Sequence, residues 1–272
     1  SNEWDLVGSP VGGLSISSFV GDNSADGDSS DDIAMSGSTY ALGYYDNSDD
    51  SWTNITTTSA GTAGDLTLGK GYQMASANGT TLVFTGTVPT SSQTQSITDH
   101  YDNGSGGGRF ELVANPFPSY INLNTQGHAT NNFLTVNIDS GVIDSSFGYV
   151  YGYDADGSGY TIYSQAANSG RDYIAPGQAF FVAAASSSAA NISFTTAMRT
   201  TSGGDDFVSN RLAQSDWSNF YLRLYENENF VSETQFYFEQ GLSLSLDPGY
   251  DAGAPFEDIL MSRLTENDQG IG

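Results

Sequence analysis

Carboxylates are the reactive side chains this sequence offers in quantity, and in one short stretch their spacing is that of a calcium loop. Asp154, Asp156, Ser158 and Gly159 follow D-x-D-x-S-G, in which oxygens at alternate positions converge on a cation and glycine permits the sharp turn. The bidentate acid that closes such a loop is missing, because Gln165 stands at the twelfth position. A Ca²⁺ ion there needs an oxygen from elsewhere in the chain, and the plainer reading is a polar hairpin turn. A second acidic group, Asp22, Asn23, Asp26, Asp28, Asp31 and Asp32, crowds like charges into one loop. Such a loop either spreads in water or is ordered by a calcium ion. Aromatic residues form the third candidate group: Tyr44, Tyr45, Trp52, Tyr149, Tyr151, Tyr153 and Tyr160. Flat rings stack on sugars, which makes Trp52, Tyr151 and Tyr160 the candidates for glycan contact, although strand alternation sends half of such a set into a core.

Catalysis has less to work with. His100 and His128 come with neither a Ser-His-Asp order nor a His-x-x-x-His spacing, so both read as loop histidines. There is no cysteine, which removes thiol nucleophiles, thiolate metal sites and disulfides together. The acids sit mainly in Gly- and Ser-rich loops, where carboxyls ionise normally. The expectation is a protein that is not an enzyme, with a glycosidase-type carboxylate pair as the form a hydrolase would take.

The charge balance narrows the partners. Against 32 Asp and Glu stand 7 Lys and Arg, a net charge of −25 over 272 residues. Nucleic acids and anionic lipid surfaces need cationic side chains to displace counterions, and Lys70 is the sole basic residue before Arg109. Low hydrophobicity with high charge can mark disorder, but 15 Phe, 16 Tyr and 3 Trp supply the apolar area that disordered chains lack. No stretch has the roughly 18 consecutive apolar residues of a membrane helix, so membrane insertion is not expected. The first residues lack the basic and apolar regions of a signal peptide, and the last stop without a closing element. The expectation is an internal fragment of a larger exported precursor.

The elements that would hold these side chains come in pairs. WDLVGSP (residues 4–10) matches FELVANP (residues 110–116), with Leu6 on Leu112 at an offset of 106. In the same order, YYDNSDDSW (44–52) answers YGYDADGSGY (151–160), and LGKGYQM (68–74) answers IAPGQAFF (174–181). Each copy then ends in an alternating run, TTLVFTG around Phe84 and ANISFTT around Phe194. The copies differ at Ser9, where the second has Asn115, and at Lys70, where the second has Pro176. Alternation bounded by Gly, Asp, Asn and Ser reads as strands, with DADGSG as a hairpin loop. A short helical turn is expected near residues 119–124. Polar linkers are expected at 21–32, as an acidic insertion, and at 101–108 and 200–206. Beyond Phe207 the pattern changes, and residues 220–241 read as a hairpin turning at 227–229.

The paired motifs, with LRLYENENFVSETQFYF, GYDAGAPFED and the final ENDQGIG, resemble β-rich modules near the C-terminal end of large secreted proteins of Bacteroidetes. That resemblance implies type IX secretion through a sorting domain following the modules, and a place in adhesins or beside catalytic domains. The expected fold is all-β, made of tandem antiparallel β-sandwich or jelly-roll-like repeats without long helices. Its segments are 1–102 (first copy with the acidic insertion), 108–200 (second copy) and 205–272 (the start of a third β domain). The expected function is a non-enzymatic structural or adhesive stalk region of a secreted or surface-anchored bacterial protein, extracellular or at the cell surface. Its partners would be other domains of the same polypeptide, and glycans or cell surfaces. The alternative is a carbohydrate-binding accessory region of a secreted polysaccharide-degrading enzyme.

Overall fold

The computed structural model describes residues 4–24, 32–77, 80–101, 107–154, 159–165, 172–203, 218–226, 229–238, 262–263 and 270–271. The first unit holds β1 (Asp5–Val7), α1 (Ile16–Asp22), β2 (Met35–Ser36), β3 (Thr39–Asp46), β4 (Ser51–Thr56) and β5 (Tyr72–Met74), followed by β6 (Gln93–Ile97). Hydrogen bonding orders its sheet β1-β5-β3-β4, all antiparallel, with β2 also on β3. The YYDNSDDSW motif is the β3–β4 hairpin, setting Tyr45 opposite Trp52, and its turn ends on Asp50 at φ +55°. Asp is one of the few side chains that tolerates that left-handed conformation.

The second unit comprises β7 (Phe110–Ala114), β8 (Tyr120–Asn122), α2 (Phe133–Asp139), β9 (Tyr149–Asp154), β10 (Gly159–Ser164), β11 (Tyr173–Ile174), β12 (Ala179–Ala183), β13 (Ala190–Phe194) and β14 (Arg199–Thr200). Its main sheet runs β7-β12-β9-β10, so each matched motif occupies the same rank in its own sheet. Further along, β15 (Ser218–Glu226) pairs antiparallel with β16 (Asn229–Phe238), the two strands of the expected hairpin, and β17 (Ser262–Arg263) pairs with β18 (Gly270–Ile271).

Both helices are seven residues long, under two turns, too short for a helical period to emerge from the sequence. Caps mark them instead. Ser15 accepts the backbone N–H of Ser18, and Asn132 that of Thr135, at 3.0 and 2.8 Å. Each helix buries a phenylalanine fully, Phe19 and Phe133, against a ring of the later run: Phe84 at 4.9 Å and Phe194 at 5.2 Å between centroids. Four residues on comes a buried asparagine, Asn23 as the C-cap of α1 and Asn137 in the last turn of α2. Asn23 donates to Phe19 O and Val83 O and accepts from Val83 N–H; Asn137 does the same with Phe133 O, Ser193 O and Ser193 N–H. Residues 119–124, expected to be a helical turn, contain β8 instead. Ile121 has a strand on each side, pairing with Ile174 and Arg199, and two ladders outweigh a local turn preference.

Three buried clusters organise the packing. One lies within the first unit, under α1, and includes Phe19, Leu42, Leu66 and Met74. Another lies within the second, under α2, and includes Phe133, Phe180, Val182 and Phe194. The third joins the units: Tyr45 and Leu6 of the first sheet pack with Phe110, Leu112, Tyr149, Tyr151 and Phe181 of the second. The two sheets thus face each other across an aromatic layer, and each covers its other side with its own short helix. Backbone bonds cross the same boundary, from Gly8 N–H to Gly177 O (2.6 Å), Gly71 N–H to Leu112 O (3.0 Å) and Ala114 N–H to Gly69 O (2.9 Å). Strand β6, within the segment assigned to the first copy, pairs along its full length with β13 of the second, and Ile97 joins the second unit's core.

Candidate functional site

The seam between the units opens into a cleft of ≈ 200 Å³, lined by Tyr44, Asp46, Asn47, Lys70, Gln95, Ser96 and Glu111 among others. Four segments meet there. The end of β3 and the turn after it supply Tyr44 to Asn47, the turn before β5 supplies Lys70, β6 supplies Gln95 and Ser96, and β7 supplies Glu111.

Lys70, the one lysine of the sequence, reaches the cleft because residues 69–71 run along the edge of β7, bridging Lys70 to Val113. Its ammonium lies 4.8 Å from the centre of the Tyr44 ring and 6.0 Å from that of Tyr72, a cation–π arrangement that holds the charge while its stem packs on rings. Glu111 lies within a strand whose neighbours Phe110 and Leu112 belong to the aromatic layer. Burial pushes its carboxyl up to about 7; the Thr98 backbone and the Lys70 charge pull it down, and Asp46 pushes it further up. Asp46 behaves oppositely. The hydroxyl and backbone N–H of Ser48, at 2.7 and 3.0 Å, hold it below the usual carboxylate range. Asn47 is a fixed post at the rim: its side-chain amide donates to Thr98 O (2.7 Å) and Gly108 O (3.4 Å), and its backbone carbonyl accepts from Gly108 N–H (2.8 Å). The cleft therefore pairs an ammonium with one carboxylate and with one carboxyl that exchanges its proton near neutrality.

The sequence candidates divide. Asp154 ends β9 opposite Gly159, which closes the expected hairpin, while Asp156 and Ser158 lie outside the described residues. Asp22 is the last residue of α1 and exposed, so the acidic insertion begins on a helix; Asp26, Asp28 and Asp31 lie outside the described residues. Among the described residues no three His, Cys, Asp or Glu side chains gather as a metal site. Tyr151 is corrected from glycan platform to core: it is fully buried, 5.1 Å from Phe110 between ring centres. Trp52 is 37% exposed, set edge-on to Phe181 at the margin of the aromatic layer. Tyr160 pairs with Tyr153 in the β9–β10 ladder. His128 is a turn residue whose Nδ1 accepts from Thr130 and Asn131 N–H, at 3.3 and 3.0 Å.

Sequence reasoning does not reach Glu111, and it singles out Lys70 as the sole basic residue before Arg109 and as a difference between copies, not as a site residue. A signal for Glu111 was present: an acid interrupts the apolar run of WDLV and of FELV alike, as Asp5 and Glu111.

Fold and seam together define an all-β protein whose two main sheets meet at a polar cleft built jointly by both units. The chain belongs to the family described as a domain of unknown function (DUF8693), whose model matches residues 2–268 and so runs through both units and beyond them. No curated protein and no solved structure matches the chain.

Proposed function

We propose that the chain is a non-enzymatic structural and adhesive stalk region of a secreted or surface-anchored bacterial protein, made of two copies of one unit locked into a single spacer. The observation that carries this reading is the reciprocal crossing of backbone: the loop after β1 bonds to the turn before β12, and the turn before β5 bonds to β7. Tandem domains joined by a linker alone bend relative to one another, whereas shared strands and a shared core resist bending. Agreement between the copies in strand rank, helix cap and buried asparagine supports duplication. The acidity and the motif resemblance to Bacteroidetes modules support the exported setting and the type IX route. Urea unfolding followed on the amide signals of Leu42 in the first unit and Val182 in the second tests the lock. One shared midpoint is expected; two separate midpoints would contradict it.

The second reading, a carbohydrate-binding accessory region, draws on the exposure of Trp52 beside the polar cleft. Affinity electrophoresis on a polysaccharide panel tests it. Retardation that Trp52→Ala abolishes favours glycan binding, and no retardation of the parent chain removes it.

A further inference from the structure

Resting on the reading of two locked units, we propose that Glu111 and Lys70 make the lock proton-operated: it is tight when Glu111 carries a proton and loosens when Glu111 ionises. The geometry places Glu111 on β7, where residues 69–71 of the first unit cross by two backbone hydrogen bonds, Gly71 N–H to Leu112 O and Ala114 N–H to Gly69 O. A charge formed there is formed on the seam itself.

The groups facing Glu111 are few among the described residues. Across the seam the first unit presents the Lys70 ammonium and the Asp46 carboxylate, and Asp46 is in turn influenced by His100. The stretch following β6 presents the backbone of Thr98, and β6 itself lines the cleft with the uncharged Gln95 and Ser96. On the neighbouring strand, Glu111 pairs with Val182, an apolar residue of the second core. On its own strand end, Arg109 is engaged with Asp144 at 3.7 Å and stacks over Tyr101 and Phe147. Among the described residues, Lys70 is thus the one cation acting on Glu111 from across the seam, and it faces Asp46 as well. Ionising Glu111 puts a second carboxylate beside one ammonium, in a place where water solvates it poorly. Opening the cleft relieves both penalties, so opening is favoured once the proton leaves. Burial already holds the Glu111 proton to about 7, which places the transition near neutrality.

Amide hydrogen exchange at Gly71 and Ala114, corrected for intrinsic rates, measures seam opening, and a ¹³C carboxyl titration measures Glu111 directly. In the parent chain seam opening should rise about 30-fold between pH 5.5 and 8, the span expected if Glu111 regains an ordinary pKa on opening. Glu111→Gln keeps the shape but cannot ionise, and should hold the low-pH protection at both values. Lys70→Met keeps the stem on Tyr44 and Tyr72 while removing the charge, and should move the midpoint to higher pH; a merely structural lysine would not move it. Equal protection at both pH values in the parent chain, or the same pH profile in Glu111→Gln, would overturn the proton-operated lock while leaving the rigid spacer standing. Seam amides already unprotected at pH 5.5 would instead overturn the spacer and the lock together.

Discussion

At the scale of single residues, the side chains that organise this protein are polar groups set among apolar neighbours, Asn23 and Asn137 buried and Glu111 half-buried. Glu111 makes a stability argument with a definite sign. Its carboxyl holds a proton to about 7 in the folded chain against 4.5 as the ordinary value, so between those values the folded state binds more protons than the unfolded one. The stability that Glu111 contributes is therefore greatest below 4.5, falls as pH rises through 7, and levels off above, by on the order of 3 kcal/mol at most. Glu111→Gln should be more stable than the parent at pH 8 and about equal to it at pH 4, as read from urea midpoints across that range. Asn23 and Asn137 offer a matched test. Each ties a helix end to a later run through three hydrogen bonds, and Asn23→Ala or Asn137→Ala should cost about 2 kcal/mol by leaving backbone groups unsatisfied. Costs that differ widely between the two would argue that the sites are not equivalent. None of these three residues announces its role by type. An acid in an apolar strand and an asparagine after a phenylalanine gain meaning from what folds against them.

At the scale of elements, the seam depends on glycines that let two backbones touch. A Cβ on Gly8 would collide with Ala114 Cβ and approach Lys70 O to 2.9 Å; one on Gly71 would lie 2.5 Å from Leu112 Cγ and 2.9 Å from Ala179 Cβ. Gly8→Ala and Gly71→Ala should each lower stability by roughly 1–3 kcal/mol, because backbone and packed side chains must shift. Gly21, near the end of α1, is the contrast, since a Cβ there would meet nothing within 4 Å. Gly21→Ala should be neutral or stabilising by up to about 1 kcal/mol. Thermal melts of the three variants decide between a close seam and a loose one. The strands were legible in the sequence because alternation around Tyr44, Tyr151 and Phe181 has the period of a sheet, and the β15–β16 hairpin was legible for the same reason. The short helices were not, since seven residues carry caps but no period. Residues 119–124 mislead because a stretch that follows Pro118 and opens on Ser119 has turn chemistry, while its conformation is set by two distant strands. The cleft was illegible because its residues come from four segments spread between Tyr44 and Leu112, which only the folded chain assembles.

At the scale of the whole molecule, the two sheets share a core, and neither unit buries its aromatic face alone. Leu112, Tyr151 and Phe181 on one side need Leu6 and Tyr45 on the other. A chain cut to residues 108–200 would lose β6 from its edge and expose that layer, so it should aggregate or melt well below the parent, as light scattering and calorimetry would read. On the proposed reading, that sharing turns a pair of units into one rigid spacer. Native-state exchange of the Gly8, Gly71 and Ala114 amides at pH 5.5 measures it most directly, against the amides of Leu42 and Val182 inside the sheets. Equal opening free energies at the seam and within the sheets are the expected result. Seam amides that exchange a hundredfold or more faster, an opening about 2.7 kcal/mol easier, while the sheet amides stay protected, would mean two separate domains and would contradict the rigid spacer.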